Sequence, residues 1–568
     1  RMKVRPIIPV LLFAAVLFTV GITWGLPHVE SWMSDDLAPF HPLIGLSKGF
    51  SFGYFNKYPL VHQVILALVN IPLLVYAVAS HAAADGFRLY EFLIYVRSAD
   101  FASGLMLIDR LVSVVMGVGI VLFTYLGTHE LFGRRAALWA AVFASTNALL
   151  NFYAHLSKVE APYVFWGMGG LYFLIRAVKG ERRRDYVYTA FFACLSFGSK
   201  DQGYAIFVLP FIVYLVILPL ITRGEGVKAA RVLSRKNLLI FAAVFVIAAA
   251  IVENLFLNFD GLIARFHHLT GEGGTRSISY SIGPSGILAL WRDAFGVMMR
   301  DATGIPVFLL GLLGIGLTVK DFRHERAGLL LRMIFLVALV SYSLFFVQII
   351  RQSNVRFVFP QSVFLAVHAG YAADRIIGAA SAAKSRIAGP VVAGVLALSL
   401  AYSLYNTLSV NAAMLCDSRY DTERWMQTAV PKGSKLEYYN RLHYLPRFPK
   451  GVSSYQVRGN EMEVVKRLPD FIVISSREVA AFNLPKNLGQ ISNGQIVSTR
   501  VHRRVQSGFA DYLDNLREGR LGYVLAHRSE FRPKFFRNIS SLNISPDFVE
   551  VYRRAGHGQV SLMDGARR

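Results

Sequence analysis

The sequence predicts a polytopic α-helical membrane protein that ends in a water-facing α/β domain. Three observations predict it. Of the 568 residues, 54% are hydrophobic, and the mean hydropathy is +0.43. Apolar runs close to the roughly 20 residues that a bilayer crossing needs recur between short polar breaks. After Leu408 the hydropathy drops, and 411–568 mixes helix-spaced and strand-like stretches.

The net charge of +24 would direct attention to nucleic acid in a soluble chain. Here the basic breaks flank apolar spans, so topology signals and anionic lipid headgroups account for the excess. No nucleic-acid motif is present. The two cysteines, Cys194 in an apolar run and Cys416 beyond the last one, argue against disulfide or zinc chemistry.

Taken in order, the candidate spans are 6–24, 105–127, 136–153, 161–178, 187–200, 203–221, 238–257, 303–319, 327–348, 357–378 and 387–408. The run after Arg1, Lys3 and Arg5 lacks a small-residue cleavage site and reads as an uncleaved anchor. Alternate breaks are short and basic: Gly133-Arg134-Arg135, Lys179 to Arg184, Arg223 to Lys236, Lys320 to Arg326 and Lys384 to Arg386. Basic breaks of this kind face the cytoplasm. The first span then runs outward and delivers Asp35 and Asp36 to the outer face. Tyr58 to Ser80 is apolar enough to span. Crossing would turn every later basic break outward, so it reads as a helix on or dipping into the outer surface. The first outer loop is therefore about 25–104.

The remaining outer breaks carry acids, histidines and isolated cations close to apolar runs. They hold His155, Lys158 and Glu160; Lys200 and Asp201; Arg265, His267 and His268; and Arg351 and Arg356. Such groups cost free energy unless they face a cavity or a partner. Together they predict one polar cavity at the outer leaflet. A lipid-linked sugar phosphate suits it. A carboxylate, Asp35 or Asp36, would take the proton of an attacking hydroxyl. Glu160 would orient the acceptor or share a divalent cation, Mg or Mn, with Asp36. Lys57, Lys200, Arg351 and Arg356 would hold the departing phosphate. Lys200 equally suits a structural pair with Asp201 or Glu160. His155, Arg265, His267 and His268 are candidate acceptor or loop contacts, with the histidines better suited to hydrogen bonding than to metal.

In the last part, Asp421 to Val430 has helical spacing and stops at Pro431-Lys-Gly433. Lys435 to Tyr439 and Phe471 to Ser475 read as strands, the second buried. The domain division is 1–410 for the membrane part and 411–568 for the soluble part.

An ordered set of short motifs carries a family resemblance. It runs from the acidic pair through Lys57-Tyr58-Pro59-Leu60, Arg110, Phe132-Gly-Arg-Arg135 and Ser157-Lys-Val-Glu160-Ala-Pro162. It continues with Gly198-Ser-Lys200-Asp201, Arg351 to Pro360, and Asp417-Ser-Arg419 to Trp425. The chain resembles the protein O-mannosyltransferase superfamily of GT-C glycosyltransferases, with its bacterial aminoarabinose transferase-like members. The resemblance implies a GT-C fold of about eleven spans. It implies inverting transfer from a polyprenyl-phosphate sugar to an envelope glycan, lipid or protein at the periplasmic face of a bacterial inner membrane. It also implies Asp35 or Asp36 as the catalytic acid/base residue, Glu160 as the second acid, and Lys57, Arg351 and Arg356 at the donor phosphate. A flippase for polyprenyl-linked sugars would instead place its charges at mid-membrane. A membrane-anchored binding module would work through 411–568.

Overall fold

The computed structural model describes residues 5–28, 31–33, 36–37, 40–48, 50, 58–85, 94–96, 98–180, 182–218, 235–270, 280–322, 330–352, 354–383, 385–439, 441–457, 461–477 and 509–556. Asp35 and Lys57 lie outside these residues. The chain divides into two units. One comprises Arg1–Thr23 and Asp35–Leu408, the other Trp24–Ser34 and Ser409–Arg568.

The first unit is helical, because apolar runs in a hydrocarbon environment must satisfy their backbone internally. Four described helical stretches are long and apolar enough to cross a membrane: Val61–His81, Ala99–Phe132, Leu331–Ile350, and Ala388–Ala429, which begins in this unit and ends in the second. They keep apolar side chains such as Val75, Val115, Leu344 and Leu398 exposed, as lipid contact requires. The Ala99–Phe132 helix opens on Ser98, whose hydroxyl accepts from the Phe101 N–H at 3.3 Å. It closes on Gly133 at φ +88°, a conformation that costs glycine little.

The run expected to form one span over 136–153 is instead two helices, Arg134–Ser145 and Ala148–Ala154. Asn147 is the cause. Its side-chain oxygen accepts from the N–H groups of Leu149 and Leu150 at 3.0 and 3.1 Å, which starts a new helix. Its amide donates to Ser362 Oγ at 2.9 Å. The 203–221 run is likewise irregular over its described part. It passes from a 3-10 turn over Asp201–Ile206 to a single α-turn and then a π-turn over Ile212–Ile217. The segment read as a surface helix over 58–80 forms an unbroken helix, Val61–Asp85, running through Pro72. Elsewhere small residues set helix spacing. A Cβ on Gly314 would lie 1.9 Å from the His368 carbonyl oxygen, and one on Gly370 would lie 2.5 Å from the Ala136 carbonyl oxygen. These helices therefore touch backbone to backbone.

The second unit is built on a five-stranded sheet of order β2-β1-β3-β5-β4. Its strands are β1 (Lys435–Tyr438), β2 (Ser453–Gln456), β3 (Phe471–Ser475), β4 (Tyr523–Glu530) and β5 (Phe548–Arg554). β1 pairs in parallel with β2 and β3, whereas β5 runs antiparallel to β3 and β4. The period of two divides β3 between two cores. Phe471 and Val473 join Met426 of the Ser418–Ala429 helix, and Ile472 and Ile474 join Tyr512 and Leu516 of the Phe509–Arg517 helix. That is why β3 is buried along its whole length. Pro431 and Gly433, the latter at φ +83°, stop the preceding helix and turn the chain into β1.

His28, in the part of this unit drawn from the chain start, is half-buried beside Arg447 and Arg419. Burial and the two cations push its pKa down to about 4. The folded unit therefore holds His28 neutral where the unfolded chain, at 6.5, takes up a proton. Stability is complete above about pH 6.5 and is lost as pH falls toward 4, by at most about 3 kcal/mol. Amide exchange of β3, followed against pH in the full-length chain, should show this slope, and His28→Ala should flatten it.

Candidate active site

All of the site residues described below belong to the helical unit. Four of its segments meet around a small apolar plug. Leu37, Leu66 and Val159 are buried against one another, with Tyr58 and Val112 packed on them. Each plug residue brings polar neighbours with it. Asp36 precedes Leu37 and Glu160 follows Val159. Buried His62 and Asn70 lie one turn either side of Leu66, and buried Arg110 lies two positions before Val112. Backbone pairing locks the first two together. The Leu37 N–H donates to the Ser157 carbonyl at 2.8 Å, and Ser157 Oγ donates to the Leu37 carbonyl at 3.4 Å. Asp36 and Glu160 therefore sit on adjoining segments.

The Asp36 carboxylate is 2% exposed and lies 3.9 Å from Arg110 Nη2. Arg110 is fully buried, and its Nη1 donates to the Ile22 carbonyl at 2.6 Å. A guanidinium inside an apolar bundle needs such partners. Beside it, Asp109 accepts from Asn70 Nδ2 at 2.8 Å. This ties the Val61–Asp85 helix to the Ala99–Phe132 helix.

Glu160 opens the helix that runs to Gly180, where an acid complements the positive helix end. It is buried and accepts from Lys200 Nζ at 2.8 Å. Lys200, at the end of the Arg183–Ser199 helix, also sits 5.5 Å from the Tyr163 ring centre. Lys158 and Arg356 add to the positive field at Glu160. Arg356 stands in a tight turn, Val355–Phe357, where its own N–H donates to Asn354 Oδ1 at 3.2 Å, and its guanidinium lies 5.0 Å from the Phe357 ring centre.

The other candidates go elsewhere. Arg351, at φ +49°, donates to the Tyr280 carbonyl at 3.4 Å. Arg265 donates to Asp201 Oδ1 at 3.1 Å and pairs with Glu253. It thereby anchors the Phe259–Thr270 helix to the residue after Lys200. His267 and His268 are exposed on that same helix. Both ring nitrogens of His155 face carbonyls, of Asn151 at 2.7 Å and Val20 at 2.8 Å, so neither is turned toward a ligand. A divalent cation at Asp36 and Glu160 does not fit this donor set. Among the described residues no three His, Cys, Asp or Glu side chains converge. Each of the two carboxylates already faces a cation of the protein.

Asp109 joins the site although sequence reasoning did not single it out, as do Arg110 and Lys158, which it placed in a motif and an outer break without assigning either a task. The signal for the first two was visible: Asp109-Arg110 are adjacent charges inside a long apolar run, and ionisable groups so placed mark function by default.

Residues 101–253, which carry Arg110, Lys158, Glu160 and Lys200, match the family described as dolichyl-phosphate-mannose-protein mannosyltransferase. The match falls within the stretch over which the sequence resembles the protein O-mannosyltransferase superfamily. No curated protein matches the chain. Among solved structures, the Archaeoglobus fulgidus oligosaccharyltransferase in the apo form aligns at 13% identity and a TM-score of 0.49, over 96% of this chain and 88% of that one. ArnT from Cupriavidus metallidurans bound to undecaprenyl phosphate aligns at 13% identity and a TM-score of 0.47, over 87% and 98%. An S. cerevisiae protein O-mannosyltransferase complex bound to the sugar donor aligns at 15% identity and a TM-score of 0.32, over 50% and 36%.

Removing one partner of a buried ion pair strands the other charge. Lys200→Met should therefore lower stability by about 3–5 kcal/mol. Adding Glu160→Gln should recover most of that loss. A double-mutant cycle on thermal unfolding in detergent checks it: additive losses would mean that the two groups do not interact.

Proposed function

We propose that this transferase moves a sugar from a polyprenyl-phosphate donor to an acceptor hydroxyl, with inversion, and that Asp36 is the base. The observation that supports this reading is the convergence of Asp36 and Glu160 on paired segments, each with its own cation. Arg110 faces Asp36 beside the plug. The Asp36 carboxylate takes the proton of the acceptor O–H as that oxygen attacks the anomeric carbon. The bond from this carbon to the phosphate oxygen breaks on the opposite face. Its electron pair leaves with the polyprenyl phosphate, which needs no protonation. Arg356 and Lys158 meet the charge that builds there. Lys200 already answers Glu160, so its role is to hold that carboxylate in place to orient the acceptor. No step uses a metal ion.

In the same proposal, about eleven spans carry the active site and the α/β unit to the periplasmic side of a bacterial inner membrane. The acceptor is an envelope glycan, lipid or protein. Asp35 and Lys57 keep their assigned places as an alternative base and a phosphate contact.

Two experiments test this reading. Purified protein is given undecaprenyl-phosphate-linked neutral and amino sugars with an envelope extract. Asp36→Asn should lower turnover about 10²–10⁴-fold, and unchanged turnover would refute the assigned base. Separately, a membrane-impermeant thiol label should reach Asp85→Cys from outside intact spheroplasts. Labelling only after lysis would place position 85 inside and overturn the orientation.

A further inference from the structure

The chemistry proposed above gives His62 no task, although this side chain is wholly out of solvent. Its ring nitrogens, Nδ1 and Nε2, are both buried and meet no hydrogen-bond partner among the described residues. Burying a donor and an acceptor unanswered costs stability, so polar groups inside folded proteins are almost always paired. His155 shows the contrast, since carbonyls face both of its nitrogens. His368 shares the unmet nitrogens but packs against the Phe132 ring, whereas His62 stands where the charge of Glu160 bears on it.

Neighbours along the Val61–Asp85 helix fix where His62 stands. Val61 packs on the cluster of Cys194, Ala248 and Val252, and a Cβ on Gly198 would lie 2.7 Å from Val61 Cγ2. Leu66, one turn beyond His62 on the same helix face, is buried with Val159 in the plug. Gly198 comes two residues before Lys200, and Val159 directly precedes Glu160. His62 is therefore held between the segments that supply the two halves of the Glu160–Lys200 pair. The 2.8 Å contact joins those two groups to each other, and His62 bonds to neither.

We propose that His62 is a substrate-binding residue, whose imidazole hydrogen-bonds a hydroxyl of the donor's sugar beside the Glu160–Lys200 pair. The inference rests on the function proposed above. A neutral imidazole offers one N–H and one bare nitrogen. Sugar hydroxyls both accept and donate, so they answer either nitrogen. A phosphate oxygen only accepts and would leave the bare nitrogen unmet. Arg356 and Lys158, the cations assigned to the phosphate, act on Glu160, and the charge of Glu160 in turn reaches His62. The sugar is bonded directly to that phosphate, so its hydroxyls come next to the same carboxylate.

The test uses the full-length chain in detergent, with His62→Leu and His62→Gln. Thermal unfolding is followed without ligand, with undecaprenyl phosphate, and with the undecaprenyl-phosphate sugars. Without ligand, His62→Leu should melt at or above the wild-type temperature, because it removes two unanswered polar groups from the bundle. Affinity for the sugar-linked donor, read from the thermal shift against concentration, should fall about 10-fold in His62→Leu while that for undecaprenyl phosphate is kept. His62→Gln, whose amide both donates and accepts, should recover most of the loss. A lower ligand-free midpoint in His62→Leu would mean that the imidazole is answered inside the fold, and it overturns the inference. Unchanged donor affinity, or an equal loss for undecaprenyl phosphate alone, overturns it too. Wild-type protein that binds the donor but transfers nothing would sink the proposed reaction, and the affinity comparison would still decide whether His62 touches the sugar. Wild-type protein that no donor stabilises overturns both.

Discussion

A carboxylate and an ammonium 2.8 Å apart, both out of water, form the interaction on which the rest of the helical unit depends. Moving either charge alone into an apolar bundle costs several kcal/mol, so Glu160 and Lys200 commit to each other as the helices pack. That commitment joins the start of one helix to the end of the next. Val159 is then fixed in the plug, and Ser157 is set where it can pair with the Leu37 backbone. Asp36, next to Leu37, is thereby tied to that ion pair through a chain of contacts. The same reasoning explains why Arg110, buried beside the plug, faces a carboxylate and a carbonyl rather than lipid.

Pairing also divides the candidate cations by task. Lys200 is compensated by Glu160, and Arg265 is held by Asp201 and Glu253. Their value lies in rigidity, since a charge already answered has little field left for a ligand. Arg356 and Lys158 strengthen the field at Glu160 from outside that pair. The α/β unit follows the same physics on a different scaffold. Arg419 is buried only because Asp417, two carbonyls and two indole rings answer it together.

Much of the architecture was legible residue by residue. Lys435 to Tyr438 and Phe471 to Ser475 are strands where alternation and branched side chains indicated them. The Ser418–Ala429 helix stops where Pro431 and Gly433 required. What misled was local chemistry acting through tertiary partners. Asn147 splits an apolar run because its side chain caps a new helix and reaches Ser362. Arg351 and Arg356 look alike in sequence, but Arg351, at φ +49°, donates to the Tyr280 carbonyl, whereas Arg356 contributes to the field at Glu160.

By itself the sequence determined the apolar helical class and the positions of most helices, and it carried the family resemblance. Span length, hydropathy and strand alternation are properties of consecutive residues, and a bilayer or a sheet face reads them directly. Only the tertiary structure decided which charge answers which, and that Trp24 to Ser34 belong with the α/β unit. Those outcomes depend on pairs as far apart as Trp24 and Asp417. The free energy of such a pair exists only once packing has removed both partners from water.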